Sequence, residues 1–249
     1  MLMGPQNLPE RLGEVRSRIG KAAAAAGRDV DSITLLGVTK GQPATLVQAA
    51  AAAGLEDFGE SYPQEALEKI AAVGKLRAEA GPAPQVPAAI TWHFIGRLQS
   101  NKTRPVAEHF AWVHAVDRLK IAERLAEQRP YYAPPLNICL QVNVAGEDSK
   151  GGVSPAELPA LATAVVTLPR IKLRGLMCLP PEEEEPARQR HWFALVRAAL
   201  DRLNASGWGL DTLSMGMSGD FEAAIQEGAT MVRVGTALFG PRHLKAGVF

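Results

Sequence analysis

The sequence predicts an α/β protein: a single (β/α)8 TIM-type barrel with an additional N-terminal helix. Three observations carry that expectation. Eight short apolar segments run along the chain, helical periodicity separates them, and no hairpin turn joins any two. Strands connected through helical crossovers pair in parallel. An open doubly wound sheet has the same alternation, but it usually carries a glycine-rich phosphate turn after its first strand. Thr39-Lys40-Gly41-Gln42-Pro43 is not such a turn. Closure is the better solution, and 249 residues suit one such barrel, which needs about 250. Residues 1–249 are therefore read as one domain.

The elements follow in order. Leu8, Leu12, Val15, Ile19 and Ala23 recur at helical spacing, and the pattern stops at Gly27. Residues 33–40 form a β-rich run closed by Gly41 and Pro43; Pro43 suits the first turn of a helix reaching Gly54. Residues 56–59 read as a second brief strand, followed by a helix with Ala66, Ile70 and Val73 on one side. The prolines in 81–87 forbid regular pairing and mark a loop. Residues 91–96 form the third strand, with a helix from about Ser100. Residues 112–116 form the fourth, and Asp117 is placed to cap the next helix. Residues 136–144 form the fifth. Ser154-Pro-Ala-Glu157 then combines proline at the first helical position with a capping-box pair. Residues 172–178 form the sixth strand, with a helix over 183–205. Residues 212–215 form the seventh, Ser218 starts a short helix ending at Gly228, and residues 231–237 form the eighth.

Composition excludes several classes. Hydrophobic residues make up 47% and charged residues 21%, and 27 basic against 26 acidic side chains leave a formal net charge of +1. That balance carries neither a nucleic-acid footprint nor a polybasic membrane patch. Cys139 and Cys178 both lie in apolar runs read as strands. A disulfide framework uses more cysteines, placed in loops, so buried thiols and a cytoplasmic setting are expected. Residues 1–7 show no signal-type apolar region, and no run of about 18 apolar residues is available to span a bilayer.

In such a barrel the functional groups gather where strands end, at the C-terminal face. Lys40 closes the first strand. Desolvation there lowers an amine's pKa and makes it more nucleophilic toward an aldehyde, although a lysine just past a strand is ordinarily a surface residue. The last two strand ends supply context. Ser214-Met-Gly-Met-Ser218-Gly219-Asp220 brings small residues and a hydroxyl to a helix N-terminus, which is a ready anion site. Arg233-Val-Gly235-Thr236 brings a second glycine and hydroxyl to the neighbouring strand. Barrels frequently bind phosphate between strands seven and eight. Taken singly, Ser218 is equally a helix cap and Gly235 a tight turn; together they favour a phosphorylated ligand.

Seven ordered segments then carry a resemblance. They are Leu36-Gly-Val-Thr-Lys40, Phe58-Gly-Glu60-Ser-Tyr62-Pro-Gln64-Glu65, Trp92-His-Phe-Ile-Gly96 and Leu98-Gln-Ser-Asn-Lys102. Arg174-Gly-Leu-Met177, Leu213-Ser-Met-Gly-Met-Ser218 and Val232-Arg-Val-Gly-Thr-Ala-Leu-Phe-Gly240 complete the set. Over nearly the whole chain this resembles the pyridoxal phosphate homeostasis protein family. The resemblance implies a fold-type III barrel, similar to the alanine racemase N-terminal domain but standing alone. It implies pyridoxal 5′-phosphate as cofactor, held as an aldimine on Lys40. Ser218, Gly235 and Thr236 match its phosphate-binding positions, and Arg233 matches the arginine facing the pyridine nitrogen. A guanidinium cannot accept a proton, so it keeps that nitrogen unprotonated and weakens the ring as an electron sink. The sequence departs from the family pattern at Ser61, where asparagine is usual, and at Arg97 and Gly219.

Other candidates are weaker. The five histidines show no metal-binding spacing, and His93 reads as a hydrogen-bonded core residue. Glu182–Glu185 read as a solvated helix start. Lys150, beside Gly151 and Gly152, reads as a loop lysine, with a transient cofactor contact as the sharper alternative. The resemblance favours a carrier that buffers pyridoxal phosphate, with delivery to apo-enzymes as a further expectation; a monomer is expected, although the sequence does not bear on oligomeric state. The alternative, an amino-acid racemase, needs a second base opposite the lysine, for which Tyr62, Tyr131 and Tyr132 are the only tyrosines.

Overall fold

The computed structural model describes residues 7–80, 89–147 and 150–241. Eight parallel strands close into a barrel in chain order: β1 (Thr34–Val38), β2 (Asp57–Glu60), β3 (Thr91–Phe94), β4 (Trp112–Val116), β5 (Leu136–Val142), β6 (Ile171–Cys178), β7 (Thr212–Ser214) and β8 (Met231–Val234). β8 returns to β1, with Leu36 opposite Arg233 on one side and Asp57 on the other. The helices form the outer ring: α1 (Leu8–Ala25), α2 (Ala44–Ala52), α3 (Pro63–Ala80), α4 (Thr103–His109), α5 (Leu119–Gln128), α6 (Leu158–Val166), α7 (Pro186–Asn204), α8 (Phe221–Gln226) and α9 (Thr236–Phe239).

Why these residues form these elements is visible in the burial. Leu8, Leu12, Val15, Ile19, Ala22 and Ala23 make one buried stripe on α1. That stripe packs α1 against α8 and α9, so the extra helix completes the ring. Between wall and ring lies an aromatic layer, with Phe58 against Trp92 and Phe94 edge-on to Phe110. Burying each such side chain contributes about 1.5–3 kcal/mol. The barrel interior is different, because buried polar side chains share it with a small cluster of Ala115, Cys139 and Met177. His114 on β4 meets Ser214 on β7, strands on opposite sides of the wall, so their contact lies inside. At the mouth where the strands begin, Arg174 covers the Trp112 ring and is held by Asp211 and Asn137.

Several local expectations are corrected. Pro43 stands one residue earlier than expected, at the N-cap of α2. Arg118, not Asp117, occupies the N-cap of α5, and Asp117 pairs with it instead. The Ser154–Glu157 box forms, with Ser154 Oγ donating to Glu157 Oε2 at 2.6 Å, but it closes a turn ahead of α6. Ser218 lies in a turn before α8, whose N-cap is Asp220. β8 stops at Val234 rather than continuing to residue 237, because Gly235 begins α9. The loop expected at 81–87 lies outside the described residues.

Candidate functional site

β1 ends at Val38 and not at Lys40 as expected, so Lys40 lies in the turn two residues beyond the strand, half-buried at the C-terminal mouth. The residues on either side of it are tied to one buried ammonium. Lys69 Nζ donates to the Thr39 carbonyl at 2.6 Å, to Glu60 Oε1 at 2.6 Å and to Glu65 Oε1 at 2.9 Å. An ammonium has three hydrogens, and all three are assigned. Thr39 Oγ1 in turn donates to Glu60 Oε1, and the Gly41 N–H donates to Glu65 Oε1, both at 2.6 Å. Burial pushes the Glu60 carboxyl above its ordinary value, with Lys69 pulling against that. The turn that presents Lys40 is thus clamped from below by an ion cluster.

Across the β1–β8 seam lies the second half of the mouth. A Cβ on Gly235 would sit 3.4 Å from the Val38 carbonyl oxygen and side chain, so this glycine lies against the strand that ends two residues before Lys40. Thr236 beside it is exposed. The β7 and β8 loops meet where the Ala237 N–H reaches Ser218 Oγ at 3.4 Å. Gly216 has φ +93°, and a Cβ there would lie 2.6 Å from Ala224 Cβ and 2.9 Å from Phe221 Cα. Only glycine allows that close approach. Asp220, raised by burial and pulled down by its bond from the Met217 N–H, fixes the turn between them.

Arg233 lies between these halves, 4% exposed. Its Nη1 donates to the Ser214 carbonyl and to Ser214 Oγ, and its Nη2 to the Cys178 carbonyl at 2.8 Å. Burial lowers its pKa from the ordinary guanidinium value, yet a group of this kind stays charged. The structure therefore brings Lys40, Ser218, Arg233, Gly235 and Thr236 to one end of the barrel, on adjoining elements. His93 is a hydrogen-bonded core residue, fully buried. Lys150 is occupied by the Pro180 carbonyl at 2.7 Å and Glu147 at 3.1 Å. Burial pushes both cysteine thiols up to about 12, which makes them inert. Among the described residues no group of histidines, cysteines and carboxylates suits a metal ion.

Sequence reasoning missed the clamp and the interior histidines. Glu65 and Lys69 are one helical turn apart, a spacing that signals a pair. His93 and His114 both sit mid-strand on neighbouring strands, a signal readable only once the register is known.

The site thus belongs to a closed eight-stranded parallel barrel with a lysine in the turn after its first strand and small hydroxyls at its last two. The sequence matches the alanine racemase N-terminal domain family over residues 12–243. The chain is 58% identical over 239 residues to the pyridoxal phosphate homeostasis protein of Pseudomonas aeruginosa, covering 96% of this chain and 97% of that one. It is 47% identical over 236 residues to the protein of the same name in Escherichia coli, covering 95% and 97%. PipY of Synechococcus elongatus, solved with PLP bound, superposes with TM-score 0.79 at 36% identity over 94% of this chain and all of that one. Alanine racemase of Corynebacterium glutamicum, at 16% identity and TM-score 0.64, shares the fold. The chain belongs to the pyridoxal phosphate homeostasis protein family.

Proposed function

We propose that this protein binds pyridoxal 5′-phosphate through Lys40 and serves vitamin B6 homeostasis, buffering the cofactor and passing it to apo-enzymes. The observation that carries the reading is the seam between β1 and β8. It sets Gly235 against Val38, so that the amine of Lys40 and the small-residue ledge face one ligand, with the Arg233 guanidinium between. The donor set fits the group. Ser218 Oγ, Thr236 and the backbone N–H groups beside Gly235 suit a phosphate. Arg233 offers a donor and no acceptor, which suits a ring nitrogen left unprotonated. Bound there, pyridoxal phosphate supplies an aldehyde that condenses with the Lys40 amine and a ring that accepts electrons. By withholding a proton from that ring, Arg233 weakens it as an electron sink and favours storage over turnover.

The placement of the tyrosines supports the same reading. Tyr131 and Tyr132 are 91% and 78% exposed in the turn between α5 and β5, at the opposite mouth from Lys40. Tyr62 lies on the correct face but is 58% exposed. A racemase holds its second base against the substrate in a dry site, and a solvated tyrosine does not meet that need. In the proposal the chain works as a single-domain monomer in the cytoplasm, where the two buried thiols suit a reducing setting. Among the described residues no helix is long and apolar enough to cross a membrane.

Two measurements test the function. Loaded protein incubated with L-alanine in deuterated water is expected to exchange the α-proton no faster than free pyridoxal phosphate does. Transfer of cofactor to an apo-enzyme is expected to outpace spontaneous release. Rapid α-proton exchange would overturn the carrier reading, and transfer limited by spontaneous release would remove delivery from it.

A further inference from the structure

The interior of the barrel holds a second polar assembly that the site does not use directly. His93 Nε2 lies 2.8 Å from Asp57 Oδ1, and His93 Nδ1 lies 3.0 Å from His114 Nε2. His114 Nδ1 lies 2.7 Å from Ser214 Oγ, which accepts from Arg233 Nη1 at 2.9 Å. Both histidines and Ser214 are fully buried. Burial lowers the pKa of His93, and it lowers His114 further, with the Arg233 charge and His93 acting in the same sense. Each ring is therefore neutral and carries one proton.

Proton counting then fixes every bond in the chain. A carboxylate only accepts, so His93 carries its proton on Nε2 and accepts at Nδ1. His114 must then donate from Nε2, which leaves its Nδ1 as an acceptor. Ser214 donates its hydroxyl proton to that Nδ1 and accepts from Arg233. All four bonds point the same way, from the guanidinium toward the carboxylate. The negative end of each dipole faces the cation and the positive end faces Asp57. In a low-dielectric interior, aligned bonds polarise one another and strengthen together. This matters because, among the described residues, Arg233 has no carboxylate within ion-pair distance. Asp220 acts on its charge through space, and the hydrogen-bonded route from the guanidinium to a carboxylate is this chain. It ends on Asp57, at the first residue of β2 and partly exposed, at the mouth opposite the cofactor.

We infer that Asp57, His93, His114 and Ser214 are positioning residues: a one-way hydrogen-bond chain through the barrel that orients the Arg233 guanidinium and couples the cofactor mouth to the opposite mouth. The inference rests on the proposed placement of the pyridine ring at Arg233. The chain itself, however, is testable in the cofactor-free protein.

The experiment is a long-range nitrogen–proton NMR spectrum of the imidazoles, first in cofactor-free protein at neutral pH. His93 and His114 are both expected as neutral rings protonated at Nε2. A doubly protonated ring, or an Nδ1-protonated form of either, overturns the chain whatever the cofactor does. The second spectrum is taken after loading with pyridoxal phosphate. His93, which touches no proposed ligand residue, is expected to shift its nitrogen resonances without changing its protonated atom. In Asp57→Asn the amide oxygen still accepts from His93 but the charge is gone. Its dissociation constant for pyridoxal phosphate is expected to rise about fivefold, at the lower end of coupling between distinct sites, with unfolding midpoint nearly unchanged. Loading that occurs with His93 unmoved and Asp57→Asn binding as wild type overturns the coupling. Absence of any loading, with the neutral Nε2 forms in place, overturns the placement of the cofactor and leaves the chain established.

Discussion

The two halves of the cofactor mouth are built on opposite principles. The β1–β2–α3 side, which presents Lys40, is made of buried charges. Lys69 is 6% exposed and Glu60 fully buried, and they hold Thr39 before the lysine, while Glu65, bonded to Lys69, holds Gly41 after it. The β7–β8 side is made of backbone, glycine and small hydroxyls, with Thr236 exposed. An amine that must reach one carbon atom needs its backbone fixed, and a charge cluster satisfied at every donor does that. A phosphate offers three equivalent oxygens to any ring of donors, so short hydroxyls and backbone N–H groups on a tightly turned chain are enough.

The largest expected effect tests the charged half. Lys69→Met leaves the Glu60 carboxylate buried without its partner, a change that costs about 3–5 kcal/mol. Urea unfolding should show that loss. The double variant Glu60→Leu/Lys69→Met should recover most of it while still loosening the Lys40 turn, seen as weaker binding of pyridoxal phosphate. A single variant as stable as wild type would break the comparison.

The interior between the halves gives the next effect. His93 and His114 have folded pKa values below the ordinary 6.5, so the unfolded chain takes up protons first as pH falls. Their contribution is complete above about pH 6.5 and is lost as pH drops toward the folded values, at roughly 1.4 kcal/mol per pH unit for each ring. Glu60 and Asp220, both raised by burial, work in the opposite sense, because the folded state protonates them first. Urea unfolding measured from pH 7.5 to 5.5 should therefore show stability changing less favourably with falling pH in wild type than in His114→Gln, which keeps Glu60 and Asp220 but lacks one ring. Equal slopes in the two proteins would mean that the ring charges in place.

The β7–β8 half gives the smaller effects. Gly216→Ala forces a side chain into a left-handed conformation and against Ala224 and Phe221, for about 1–3 kcal/mol. Gly219→Ala, where nothing lies within 4 Å, serves as its neutral control. Thr236→Ala, at an exposed position, should change stability by less than about 0.5 kcal/mol and weaken cofactor binding alone, read by equilibrium dialysis. Equal stability losses for Gly216→Ala and Gly219→Ala would show that the β7 turn is not constrained as described.

Much of this was legible in the sequence, for reasons that differ by residue. The eight strands stand in their expected order because apolar runs and punctuation by glycine and proline are local signals. Strand ends were less legible. Residues 143 and 144 read as a continuation of the fifth strand, yet Asn143 turns aside to bond the Glu147 N–H and carbonyl. Asp117 reads as a cap but is captured by Arg118. The lysine and the ledge residues could be proposed from the sequence because strand ends of a barrel are where ligands bind. The clamp and the interior chain were not found, since each joins residues far apart in sequence: Thr39 with Lys69, and His114 with Ser214, 100 positions away. Only the closed register brings them together.

The central claim is that Lys40 is the covalent partner of the cofactor, and borohydride reduction of the loaded protein followed by peptide mapping tests it most directly. One pyridoxyl-modified peptide is expected, the one carrying Lys40, and none in Lys40→Ala. A modified peptide carrying Lys69, Lys150 or any other lysine in place of Lys40 would contradict it.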